Sequence, residues 1–362
     1  MGRSRFLHLP DAARRRVQTV ARLLPMLALL TIPFAHAADA PTGLQEDVTF
    51  AAYTPLAGNA ERMRRLLSPL TAWRMQRALR QAHQQLGEQA IDLAQEHFTL
   101  YVPTRAPPPQ GYGLLVFVSP WDDVREARQW RAALDRHDTI LVGAARSGND
   151  TDVLNRREPL ALLAAFNVMQ RYHVDPDRVY AGGFSGGSKV ALRLALAYPD
   201  VFRGVLLEAG SDPIGTPEIP LPPADLLHRF QQTARVVYLT GDRDDYHQRE
   251  DARSREALRD WCVANLSSVA MPWKAHELAD AGSFGRALDA LAQPAQSDPD
   301  KLARCRAAHE QSLQSQLQRV QALINAGQRE DARKLLEQVD ASYGGLAGPQ
   351  SVALMERLDA GP

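Results

Sequence analysis

The chain predicts an α/β protein: a doubly wound, mostly parallel sheet followed by a C-terminal helical extension. Three observations carry this. Apolar strand-like runs alternate with helical patterns from about residue 90 to 291, the run Leu114 to Val118 is apolar on both faces as a buried parallel strand must be, and beyond about Pro294 only helical periodicity remains. A chain of 362 residues fits one large domain with something appended. The 42 basic and 42 acidic residues cancel, leaving no global field to recruit nucleic acid or an anionic surface. The expected divisions are 1–37, a signal peptide; 38–88, a lead-in and helical segment; 89–293, the α/β domain; and 294–362, the helical extension.

At the N-terminus Arg14, Arg15, Arg16 and Arg22 precede an apolar stretch, Leu23 to Ala35, and then Ala35-His36-Ala37, a small-x-small cleavage pattern. The stretch is shorter than the roughly 20 residues a membrane span needs and contains Pro25 and Pro33, so stable membrane insertion is not expected. The mature chain is expected to start at Ala38 in the periplasm or outside the cell. Residues 38 to about 58 have no period and read as an extended lead-in. Asn59 to about Gln85 places Met63, Leu66, Leu70 and Trp73 at helical intervals broken by Pro69, hence two short helices or one kinked helix.

Strands are expected over Ala90 to Ala94, His97 to Val102, Leu114 to Val118, Thr139 to Gly143, Gly204 to Leu207 and Arg235 to Thr240, and a last one alternating through Val269, Met271 and Trp273. Helices are expected over Val124 to Leu134, Pro159 to Tyr172 and Phe284 to Leu291. Between Gly210 and Ala224 stand five prolines, a stiff insertion that either walls a pocket or merely connects. Asp298-Pro299 opens a helix that Gly327 closes; a second ends at Gly344-Gly345, and Val352, Leu354, Met355 and Leu358 mark a third. This extension is either a partner surface or packing.

The most informative segment runs from Arg178-Val179-Tyr180-Ala181-Gly182 through Gly183-Phe184-Ser185-Gly186-Gly187 into the helical pattern Val190 to Ala197: strand, sharp turn, helix. A serine at such a turn is strained, and close strand–helix packing requires small residues two before and two after it, as Gly183 and Gly187 provide. Together with Val174-Asp175-Pro176-Asp177 before the motif and Ala197-Tyr198-Pro199-Asp200-Val201-Phe202 after it, this block resembles secreted α/β hydrolases of the polyhydroxybutyrate-depolymerase-like and feruloyl-esterase-like type. The resemblance is tight over about thirty residues and loose over about two hundred. It implies the α/β-hydrolase fold and a Ser-Asp-His triad cleaving carboxylic esters, with Ser185 as nucleophile.

A serine hydroxyl needs an imidazole to take its proton, and the imidazole needs a carboxylate to fix its tautomer. Leu239-Thr240-Gly241-Asp242-Arg243-Asp244-Asp245 leaves a strand where the acid is expected; the spacing from Gly241 favours Asp244 over Asp245. His276, leaving the last strand, is the expected base. His247 shares the acid's loop, His228 and His309 lie in helical patterns, and His173 precedes the far end of the serine's strand. One oxyanion donor is expected from the N–H of Gly186. Where the related enzymes carry His-Gly this chain has Ser119-Pro120-Trp121; Pro120 has no N–H, so Trp121 or Asp122 must supply the second donor. Ser147-Gly148-Asn149-Asp150 either lines the pocket or is an ordinary polar turn.

Export makes a disulfide the favoured reading of the two cysteines, Cys262 and Cys305, against two thiols on separate helices. They cannot alone supply a structural metal site, and the triad needs no cofactor. The expected activity is ester hydrolysis on a small-molecule or polymeric ester through an acyl-enzyme. The alternatives are a serine peptidase of prolyl-oligopeptidase type, for which no propeller segment is present, and an inactive hydrolase-like binding protein.

Overall fold

The computed structural model describes residues 40–296 and 298–360. The expected signal peptide lies outside them. The first element is a strand, β1 (Gly43–Val48), within the segment expected to be a plain lead-in; it pairs antiparallel with β2 and forms one edge of the sheet. Its alternation is hard to read because it is half exposed along its length. Two helices follow, α1 (Asn59–Leu66) and α2 (Pro69–Gln81), separated at Pro69 as the spacing predicts. The expected strand at Ala90 to Ala94 is instead a 3-10 turn, Leu93–Gln95, capped by the Asp92 carboxylate, which accepts from the Ala94 N–H at 3.1 Å.

The sheet continues with β2 (Phe98–Val102), β3 (Tyr112–Val118) and, after the short helices α3 (Glu126–Gln129) and α4 (Arg131–Arg136), β4 (Thr139–Ala144). The single helix expected over Val124 to Leu134 is broken at Trp130, whose fully buried ring leaves the helical path. Helix α5 (Glu158–Arg171), β5 (Val174–Phe184), α6 (Gly186–Ala197) and β6 (Gly204–Glu208) surround the glycine-rich turn. Next come α7 (Ala224–Thr233), β7 (Arg235–Gly241), α8 (Asp245–Asp260), β8 (Leu266–Met271) and α9 (Ala281–Ala292). Strand β8 stops at Met271: Trp273, expected to be its last residue, has φ 65° and is 74% exposed. Helix α8 is absent from the sequence reading because Leu258 is its one buried apolar residue, too little for an apolar stripe.

The eight strands are ordered β1-β2-β4-β3-β5-β6-β7-β8, with every pair from β4 to β8 parallel. Side chains alternate across each strand, so β3 sends Leu114, Val116 and Val118 into the layer holding α5 and α6 and sends Leu115 and Phe117 into the layer holding Trp130 and α9. This is the α/β-hydrolase fold, with β5 and its turn near the middle of the sheet.

Helices α10 (Pro299–Asn325), α11 (Arg329–Tyr343) and α12 (Gln350–Asp359) form a third apolar cluster that includes Leu70 of α2. Asp340 of α11 accepts from the N–H of Leu70 at 3.0 Å, satisfying a free donor in the first turn of α2. The proline-rich insertion turns Ile214, Ile219 and Leu221 into the core, and the Leu221 carbonyl accepts from the Gly345 N–H at 2.7 Å, fastening it to the helical extension. Cys262 and Cys305 are joined in a disulfide between the end of α8 and α10.

Candidate active site

Ser185 occupies the turn between β5 and α6 with φ 55° and ψ −124°, a conformation costly for a residue with a side chain. Its N–H donates to the Glu208 carbonyl at 2.8 Å, which ties the strained turn to the neighbouring strand. The flanking glycines are sterically required: a Cβ at Gly187 would overlap the Val118 carbonyl oxygen, and one at Gly183 would overlap the backbone of Gly187. Strand and helix thus touch backbone to backbone, and the serine is lifted beyond the end of the sheet.

His276 stands on the loop after β8, and that loop is fastened at Ala279. The Ala279 N–H donates to the carboxylate of buried Glu208, and its carbonyl accepts from the Trp130 indole at 2.8 Å and the Gln129 carboxamide at 2.7 Å. So anchored, the imidazole stacks against Phe184 with ring centres 4.9 Å apart. Its Nε2 lies 3.1 Å from Ser185 Oγ and its Nδ1 lies 2.9 Å from Asp244 Oδ2.

Asp244 follows β7 and caps α8, accepting from the His247 backbone N–H at 3.4 Å; it is 7% exposed. Burial alone would raise its pKa, but hydrogen bonds from His247 first and His276 second hold the carboxyl below the usual range. Asp245 is the exposed first residue of α8, and among the described residues no hydrogen bond joins it to either imidazole.

His247 does not sit in a free loop as expected but in the first turn of α8. Its Nδ1 lies 2.8 Å from both Asp244 oxygens, and its ring stacks on His276 with centres 4.0 Å apart. The signal in the sequence is the three-residue spacing from a capping aspartate, which places a side chain back over the cap. The ligand atoms of Asp244, His247 and His276 lie within 4.8 Å of one another, and the N–O spacings are those of charge-assisted hydrogen bonds.

Gly186 begins α6, where helix N–H groups face outward. On the facing loop, the Trp121 N–H, expected to be a second anion donor, is directed at Ser119 Oγ at 3.2 Å. The Trp121 ring stacks on Phe184, with centres 5.5 Å apart. His309 is remote in role, its Nε2 2.7 Å from the Asp260 carbonyl and its ring stacked on Trp261. A cleft of about 610 Å³ beside β7, β8 and α8 is lined by Thr240, Asp242, Asp251 and Arg255, and by neither Ser185 nor His276.

No family model matches the chain. Over 71 residues it is 45% identical to "Putative esterase NocK" of Nocardia uniformis subsp. tsuyamanensis; the match covers 20% of this chain and 18% of that one, so the chain spans under a fifth of that relative's length. Solved structures of similar fold include the S-formylglutathione hydrolase FrmB from Staphylococcus aureus, 13% identical over 55% of this chain and 93% of that one, with a TM-score of 0.43. Est1E from Butyrivibrio proteoclasticus is 14% identical over 56% of this chain and 98% of that one, with a TM-score of 0.41. Dipeptidyl peptidase 4 from Porphyromonas gingivalis is 14% identical over 55% of this chain and 34% of that one, with a TM-score of 0.39.

Proposed function

We propose that this chain is an exported serine esterase that hydrolyses carboxylic esters through an acyl-enzyme. The observation that carries the reading is the continuous hydrogen-bonded path from Ser185 Oγ to His276 Nε2, 3.1 Å, and from His276 Nδ1 to Asp244 Oδ2, 2.9 Å, at a strained elbow. In the proposed reaction His276 Nε2 takes the Ser185 proton as Oγ bonds to the ester carbonyl carbon. The carbonyl electrons move onto oxygen, where the Gly186 N–H stabilises them. Collapse expels the alcohol, protonated by His276, and leaves acyl-Ser185. Water then repeats the sequence with His276 as base, releasing the acid and restoring the serine. Asp244 holds the imidazole in the required tautomer and stabilises its cation.

Export is part of the reading, supported by the N-terminal pattern and by the Cys262–Cys305 bond, which belongs to an oxidising compartment. Among the described residues no helix is long and apolar enough to cross a membrane. The mature protein recovered from the exporting cell should begin at Ala38.

A fluorophosphonate probe mimics the tetrahedral intermediate and reacts with activated serines only. It should label the folded protein once, at Ser185, and labelling should vanish in Ser185→Ala. Purified protein should turn over short acyl esters of p-nitrophenol but not peptide p-nitroanilides. Folded protein that neither labels nor turns over esters would overturn the reading in favour of a binding protein, and preferred turnover of the anilides would make it a peptidase.

A further inference from the structure

The proposed reaction needs two donors at the developing oxyanion, and the loop after β3 is poorly equipped to give the second. Pro120 has no N–H, and the Trp121 N–H is engaged by Ser119 Oγ at 3.2 Å, which leaves the Asp122 N–H as the rival donor on this loop. The neighbouring loop, after β4, brings a different group to the same place. A Cβ built on Gly186 would overlap Asn149 Oδ1 and lie 2.8 Å from its Cγ and 3.0 Å from its Nδ2. The Asn149 carboxamide therefore rests directly on the residue whose backbone N–H is the first donor.

The position is built, not incidental. The Asn149 N–H donates to the Pro120 carbonyl at 3.0 Å and the Gly148 N–H donates to Asp122 Oδ1 at 3.2 Å, so the two loops are laced together, while the Thr151 N–H donates to the Gly148 carbonyl at 3.1 Å and closes the turn itself. A Cβ at Gly148 would press on Trp121 C at 3.0 Å and on Pro120 O at 3.1 Å, which accounts for a glycine beside the asparagine. Asn149 is exposed and its carboxamide makes no hydrogen bond among the described residues, so its donor end is open to an incoming oxyanion.

We propose that Asn149 is a catalytic residue whose Nδ2 supplies the second oxyanion donor, a side-chain amide in place of the backbone N–H that Trp121 gives to Ser119. This rests on the esterase reading above. As Ser185 Oγ bonds to the carbonyl carbon and the electron pair moves to oxygen, the charge is shared between the Gly186 N–H and Asn149 Nδ2; when the intermediate collapses the pair returns and the leaving group departs. The inference also explains Gly186, since any side chain there would displace the carboxamide.

The test compares wild type, Asn149→Ala and Asn149→Asp on one p-nitrophenyl ester, recording kcat, KM and the melting temperature. A donor aimed at charge that exists only in the transition state costs about 10²–10³ in kcat when removed and leaves KM nearly unchanged. Asn149→Asp, which keeps the shape but turns a donor into an anionic acceptor, should lose at least as much at neutral pH. Either variant keeping kcat within about threefold, or losing activity only through KM or in step with a fallen melting temperature, overturns the assignment. A wild type that turns over no ester and takes up no fluorophosphonate fails earlier, at the esterase reading itself.

Discussion

At the scale of residues, one carboxylate serves two imidazoles. Asp244 accepts from His276 at 2.9 Å and from His247 at 2.8 Å, whereas exposed Asp245 makes no hydrogen bond to either among the described residues. If Asp244 is the acid of the proposed triad, replacing it leaves the imidazole in the wrong tautomer, so Asp244→Asn should cut kcat by about 10³–10⁴ while Asp245→Asn stays near wild type. Equal, small losses would move the acid elsewhere. In the proposed triad His247 would act through Asp244, as a positioning residue. His247→Phe keeps a ring to stack on His276 but removes the N–H that orients the carboxylate, and should cost about tenfold in kcat, about 1.4 kcal/mol in the barrier, with KM unchanged. A loss confined to thermal stability would reduce His247 to packing.

At the scale of elements, the elbow and α8 make separate demands. Gly187→Ala forces a methyl into the Val118 carbonyl and should destabilise by on the order of 3 kcal/mol or prevent folding, whereas Gly87→Ala, with one neighbouring atom at 3.9 Å, should be neutral in a denaturant titration. Within α8, burial first of all pushes the Asp251 carboxyl up to about 6, despite hydrogen bonds from Thr240 and Ser211 that favour the ionised form. A carboxyl whose folded pKa lies above its unfolded value adds stability fully present below about pH 4 and lost as pH rises through about 6. Asp251→Asn should remove that slope, on the order of 3 kcal/mol between the two limits. An unchanged slope of unfolding free energy between pH 4 and 6 would locate the dependence in another group.

At the scale of the whole molecule, the helical extension is held to the rest by a covalent bond and by packing on α2. The Cys262–Cys305 bridge spans 43 residues of sequence, so reducing it frees a loop whose closure is worth roughly 4 kcal/mol in the chain-entropy account. Urea unfolding with and without reductant should differ by about that amount, and thiol titration of unfolded, unreduced protein should find no free thiol. Two titratable thiols per chain would contradict the bond.

Local chemistry made much of this legible in the sequence. Gly183, Ser185 and Gly187 declare an elbow because backbone contact between strand and helix excludes every other residue at those two glycine positions, and the doubly apolar run of β3 declares a buried parallel strand. The helix boundaries at Pro69, Pro299 and Gly327 follow from a missing N–H or a positive φ, which are properties of single residues. Other features are set by partners distant in the chain. Strand β1 pairs with the edge that β2 offers it, the polar helix α8 lies against the sheet through Asp251, Ser254 and Leu258, and Trp273 lies beyond the last β7–β8 pairing at Met271. The second imidazole on Asp244 and the carboxamide of Asn149 against Gly186 are likewise tertiary decisions, because they depend on which loops meet at the end of the sheet, and a linear pattern carries no record of that distance.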